Sequence, residues 1–260
     1  MANGLLNALI GYWGLDEAGG ANNALDKHSG GLTLTQYNSP ASDTGKVYAT
    51  ARTANGATNN RHFRRTSETA LQTGDVDFTL GAWVYPAVTN VSQIIACKLG
   101  DLSEYIMYYD SSVSRFKFGV SVNGSDVYEV TASNFGAPSA NAWYSVLGWH
   151  DAVNNVLGVS INNGTANTTA HSAGVYVSTN PFVVGSGWDG ANTFWQWNGR
   201  LQSVCLWKSA AGGGGVLTSD QRTALYASGS GLAYASFDNG SDVIPALLRH
   251  RRHFVIDSWR

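Results

Sequence analysis

A chain of 260 residues with 43% hydrophobic side chains can fill one large β domain or two small ones. Only 13% of the residues are charged and the net charge is -2, against a usual charged share of ~25%. That balance argues against nucleic acid or an acidic membrane as the partner of the body. Two cysteines are too few for a disulfide scaffold or a cysteine-ligated metal.

In chain order, residues 10–15 (IGYWGL) read as an opening strand, followed by a Gly/Asn loop, DEAGGANNALDKHSGG, and a short strand, LTLTQ. YATARTA and HFRRTS are further strands. Residues 76–86, VDFTLGAWVYP, carry apolar side chains on both alternating sides, so this strand is expected at the centre of a layered structure, covered on both faces. SQIIACK, EYIMYYD, RFKFGVSV and SDVYEVTA follow as strands, with Asn123-Gly124 as a hairpin signal. WYSVLGWHD and NVLGVSIN form a second hairpin, PFVVGSG a short strand, WDGANTF an irregular loop, and FWQWNGRLQSVCLWK a long final strand or strand pair. One helix is signalled: Thr218 and Gln221 make a capping box, and Gly229 stands where a C′ glycine belongs. About a dozen short strands with regular turns predict an all-β, antiparallel two-sheet sandwich or jelly roll with this single helix.

Residues 1–235 form the expected domain. Residues 236–260 break its pattern, with Arg249, Arg251, Arg252, Phe254 and Trp259 in one basic, partly apolar arm. Such an arm either packs back on its own domain or docks on a neighbouring subunit. Cys97 and Cys205 sit in apolar runs, IIACK and VCLWK, and read as buried free thiols or as a single bridge. The start of the chain lacks a basic stretch, and LLNALIGYWGLD reaches Asp16 before a long apolar run can build. We therefore expect no signal peptide, no membrane span, and a cytoplasmic protein or a component of something assembled there.

Four segments in order, LIGYWGLDEAGG…LDKHSGGLTLT, GDVDFTLGAWVYP, WYSVLGWHDAVNNVLGVSINNG and WNGRLQSVCLWKSA…LTSDQRTALYASGSG, resemble the concanavalin A-like, laminin G-like jelly roll frequent in bacterial surface proteins and bacteriophages. The likeness spans roughly residues 5–235. It implies two antiparallel sheets, one concave, with ligands met at the concave face or a rim. Members often hold a structural calcium. Asp16 and Asp26 match the opening-loop positions of that site, while Gln202 and Ser203 stand where the family has an Asp-Glu pair. Calcium wants six to eight oxygens with anionic charge; the alternative is that both aspartates cap turns.

The same jelly roll hosts glycoside hydrolases, which need two carboxylates facing one sugar bond. No Glu-x-Asp-x-Glu run is present; Asp75 and Asp77 have the spacing but precede the strand, and Asp16 and Glu17 are adjacent, so on a strand they would face opposite ways. Ser186 lacks a nucleophile-elbow context, and His150-Asp151 reads as a surface pair. No catalytic residue is expected. Binding suits the composition better: Trp188, Asp189, Asn192, Trp195 and Trp197, with Tyr108, are the candidate glycan-binding residues, because sugar C–H faces stack on aromatic rings. The alternative for each tryptophan is core packing. The expected role is a non-catalytic structural or attachment protein; the resemblance adds that it is a bacteriophage virion component, a capsid decoration or tail protein. It would be homo-oligomeric or part of a larger assembly, docked through its arm. A lectin-like carbohydrate-binding module is the alternative, and a glycoside hydrolase a third.

Overall fold

The computed structural model of the protein describes residues 2–56, 59–66, 68–100 and 102–240. The arm residues Arg249, Arg251, Arg252, Phe254 and Trp259 lie outside the described residues. The strands are β1 (Leu9–Trp13), β2 (Thr35–Tyr37), β3 (Ala41–Thr44), β4 (Thr50–Asn55), β5 (His62–Arg65), β6 (Asp77–Pro86), β7 (Gln93–Lys98), β8 (Tyr105–Asp110) and β9 (Arg115–Ser121). They continue as β10 (Val127–Thr131), β11 (Tyr144–Asp151), β12 (Val156–Ile161), β13 (Asn167–Ala170), β14 (Phe182–Val184), β15 (Gly187–Trp188), β16 (Thr193–Phe194) and β17 (Asn198–Ser209), followed by the helix α1 (Ser219–Tyr226).

Two large antiparallel sheets form the sandwich. The first runs β13-β12-β11-β6-β17-β4-β3, with β1 also paired to β17; the second runs β10-β9-β8-β7-β14-β5-β2. β6 lies between β11 and β17, the central place its two-sided apolar pattern requires. Phe78, Leu80, Ala82 and Val84 enter the core between the sheets, where they join Tyr105, Met107, Tyr109, Phe116 and Phe118 of the second sheet. On the other side of β6, Gly81 carries no Cβ, and one would stand 2.7 Å from Leu147. This is the close approach that only glycine allows.

The outer face of the first sheet is also dry. Leu147, Cys205 and Trp207 pack under Leu5, Leu9, Leu217, Leu225 and Phe237, so the chain's start and the segment around α1 close over it. Asp238 accepts hydrogen bonds from Asn3 N (2.8 Å) and Gly4 N (2.9 Å), and the packed body runs on past residue 235 through these contacts.

Several local expectations change. Thr218 does form the capping box with Gln221, but α1 ends at Ala227, whose φ is 48°, before Gly229 is reached. The Asn123-Gly124 link is longer than a two-residue turn. Asn123 Oδ1 accepts from Ser125 N and Asp126 N, and that side-chain turn spaces β9 from β10. WDGANTF is not irregular: it contains the hairpin of β15 and β16, with Gly187 opposite Phe194 and Trp188 opposite Thr193. The final strand begins only at Asn198, and β3 and β13, both mostly exposed edge strands, have too little apolar alternation to be read from sequence.

Candidate functional site

The outward positions of the second sheet form the most heavily furnished face. Ile94, Cys97, Leu99, Ile106, Tyr108 and Val183 make a small apolar cluster there, and Trp188 and Phe194 pack onto it. The β15–β16 hairpin thus sits across the middle of the face and divides it.

On the β8 side, Trp195 stacks on Tyr108 with ring centroids 5.7 Å apart and planes at 20°. Trp195 is 48% exposed and has φ of 46°, a left-handed conformation that costs a bulky residue energy. The position is fixed by its carbonyl, which accepts from Ile94 N at 2.8 Å, where β7 carries a register shift between Ile94 and Ala96. The left-handed residue breaks strand alternation. Trp195 therefore turns outward, and Trp197, expected beside it, is fully buried between the sheets and presents no surface to a ligand. Tyr108, from β8, is held from beneath. Its hydroxyl donates to Glu129 Oε1 at 2.5 Å, and burial together with that carboxylate makes the phenol a far weaker acid than usual. Trp195 also walls a cavity of about 380 Å³ with Asn90, Ser92, Gln196 and Asn198.

On the β5 side, Trp188 forms part of a second cavity, of about 260 Å³, with Asn192 at its edge. Asp189 builds the hairpin turn. Its Oδ1 accepts from Ala191 N (2.9 Å) and Asn192 N (2.5 Å), and those hydrogen bonds hold its carboxyl below the usual value. Tyr37, His62 and Arg64 complete this cavity. None of the three was singled out from sequence; β2 and β5 bring them together by pairing Tyr37 with His62.

Two carboxylates on this face share one lysine. Asp110 Oδ2 and Glu129 Oε2 both contact Lys117 Nζ, at 2.8 and 3.2 Å. Burial works against its charge, yet hydrogen bonds from Lys117 and Ser112 hold the Asp110 carboxyl below the usual range. A glycosidase acid needs the reverse, a carboxyl kept protonated near neutrality. Elsewhere, Asp77 is buried and accepts from Ala152 N and Gly212 N. Asp75 lies 3.7 Å from His150 Nε2, while Asp151 caps its own turn through Asn154. Ser186 is fully buried.

The opening loop does not fit calcium. Asp26 accepts from the N–H groups of Tyr12, His28, Ser29 and Leu32 and from the Ser29 hydroxyl, so its oxygens face donors. Asp16 is paired to Lys27 Nζ at 2.7 Å. The loop carbonyls of Gly20, Asn22 and Pro40 accept from the buried Arg52 guanidinium. Gln202 accepts from Lys46 N and Val47 N and donates to Tyr48 O and Thr50 O. Ser203 Oγ accepts from the Tyr12 hydroxyl at 2.9 Å. Among the described residues, no group of three or more His, Cys, Asp or Glu side chains converges to hold a metal.

Two antiparallel sheets with this connectivity define a lectin-like jelly roll. The chain belongs to the concanavalin A-like lectin/glucanases superfamily, whose model matches residues 58–213. No curated protein matches its sequence. Among solved structures it is similar to domain 4 of AbnA, a GH43 extracellular arabinanase from Geobacillus stearothermophilus, in complex with arabinotriose: 16% identity, 82% of this chain and 97% of that one, TM-score 0.57. It is similar to the binding domain of Paraclostridial Mosquitocidal Protein 1, at 12% identity over 85% of this chain and 52% of that one, TM-score 0.62. It is similar also to the binding domain of botulinum neurotoxin DC in complex with SialylT, at 11% identity over 86% and 52%, TM-score 0.59. The chain spans about half the length of the two toxin domains; at these identities the likeness is one of fold.

Proposed function

We propose that this protein is a non-catalytic carbohydrate-binding domain that grips a glycan on the outer face of the second sheet. The observation that carries the reading is Trp195: half-exposed, held in a left-handed backbone, stacked on Tyr108, and walling a cavity whose lining mixes Val88 and Val91 with Asn90, Ser92, Gln196 and Asn198. Burial normally hides tryptophan, and backbone strain concentrates at binding sites. A fixed aromatic plane beside Asn and Gln side chains matches a sugar, which offers a C–H face and a ring of hydroxyls. Solved relatives of the fold include domains in complex with arabinotriose and with SialylT. Asp110 and Glu129 on the face are both engaged by Lys117, which favours holding a sugar over cleaving it.

Calorimetric titration against cell-wall and capsular oligosaccharides tests the proposal. Binding that Trp195→Ala weakens tenfold or more, with no release of reducing sugar, supports it. Absence of binding across the panel, or turnover, refutes it.

The family resemblance extends the reading to an attachment protein carried on a bacteriophage or similar particle, where a lectin-like domain would meet its host's surface glycans. Co-sedimentation of the full chain with assembled particles supports that extension. A monodisperse monomer that ignores them counts against it.

A further inference from the structure

The cavity on the β5 side of the hairpin differs in kind from the Trp195 platform. The Arg64 guanidinium lies between two rings, 4.3 Å from the Tyr37 centroid and 4.1 Å from that of Trp188. It donates to the Tyr37 hydroxyl at 2.7 Å. Among the described residues it has no acidic partner, whereas Arg65 pairs with Glu68 and Arg200 with Asp43. A guanidinium offers five N–H donors in a planar fork, and clamping it between rings removes the rotamer entropy it would lose on binding. His62 stands beside it, stacked on Tyr37 at 4.7 Å with planes 1° apart. Its Nδ1 contacts Asn60 O at 2.8 Å and so carries the proton. That leaves Nε2 as an acceptor, and this buried atom has no partner. Burial, and Arg64 nearby, hold the ring below its usual value, which keeps it neutral. An orphaned buried acceptor is costly to leave unpaired.

Arg64, without an acidic partner among the described residues, lines a cavity of about 260 Å³ together with Asn38, Asn60 and Asn192, and the His62 ring forms part of its wall. The cavity is smaller than the ~300–1,000 Å³ of drug-sized pockets and admits a single sugar unit. We propose that this cavity is a subsite for an acidic sugar, whose carboxylate Arg64 takes through its fork. A carboxylate meets a guanidinium in parallel, charge-assisted hydrogen bonds that a neutral sugar cannot return. The proposal rests on the glycan reading above and gives it a substrate class. The two halves of the face then serve different ends, with Trp195 supplying stacking and Arg64 selecting charge.

The test uses acid and neutral pairs on the full chain: oligogalacturonate against its methyl ester, and 3′-sialyllactose against lactose, by calorimetry. At least one acid is expected to bind tenfold or more tighter than its neutral mate. Arg64→Gln should erase that preference, and Arg64→Lys, which keeps charge but loses the fork, should retain only part of it. Trp195→Ala should weaken both members of a pair by the same factor. Equal affinity within both pairs, binding by neither acid, or a preference that survives Arg64→Gln overturns the inference. Trp195-dependent binding without acid preference removes the acidic subsite and leaves the glycan reading standing. Acid binding that needs Arg64 and ignores Trp195 supports the acidic subsite and removes Trp195 as the platform of the glycan reading.

Discussion

Gln202 shows how one side chain settles a local question. Its amide oxygen meets two backbone N–H groups and its nitrogen meets two carbonyls, so both ends are satisfied only by an amide. Gln202→Glu would turn a carboxylate oxygen onto Tyr48 O and Thr50 O, and a loss of about 1–3 kcal/mol is expected in urea unfolding, with calcium giving no rescue. Asp26 carries a pH dependence. Burial alone would raise its carboxyl, but hydrogen bonds from Ser29, Tyr12 and His28 bring it below the ordinary value. A depressed carboxyl stabilises the fold fully above its unfolded value of ~3.9 and loses that contribution as pH falls through the folded value. Stability of the native chain should therefore drop below about pH 4 more steeply than that of Asp26→Asn, measured as unfolding midpoint against pH. Cys97 and Cys205 are both free and buried. Burial pushes the Cys97 thiol up to about 12, and a thiol reagent at pH 8 should label neither cysteine until denaturant is added.

The β15–β16 hairpin is the element on which the site depends, and it is the one least visible in the sequence. Two-residue strands carry no periodicity to read, so WDGANTF looked like a loop although its aromatic and Asn content marked it as a binding segment. Strand alternation would set Trp195 and Trp197 on one side, and the left-handed backbone at Trp195 interrupts it. Tyr37, His62 and Arg64 lie in short strands without any motif; only the β2–β5 and β5–β14 registers set them under the hairpin. By contrast, β6 to β12 are legible because each is a run of five or more residues rich in apolar and aromatic side chains. A substitution at Gly187 probes the element directly. A Cβ there would lie 2.4 Å from the Phe194 ring, so Gly187→Ala should lift the hairpin, cost about 1–3 kcal/mol, and weaken glycan binding without touching a contact residue.

At the scale of the whole molecule, the centre of the first sheet is covered on both faces, on one by the second sheet and on the other by the chain's start and the α1 region. The outer face of the second sheet carries the exposed Trp195 ring, the partnerless His62 Nε2 and two cavities, while a further cavity of about 390 Å³ runs along the first sheet beside Asp43, Tyr85 and Arg200. No helix among the described residues is long and apolar enough to cross a membrane. The exposed ring and the cavities on the second sheet are what make a ligand-binding role concrete. It is tested most directly by following tryptophan indole N–H signals of the ¹⁵N-labelled full chain during titration with a bound oligosaccharide. Trp195 and Trp188 should shift, and the buried Trp197 and Trp207 should stay in place. Shifts confined to Trp83 or Trp149, on the opposite sheet, or no indole shift at saturation, would contradict a glycan site on this face.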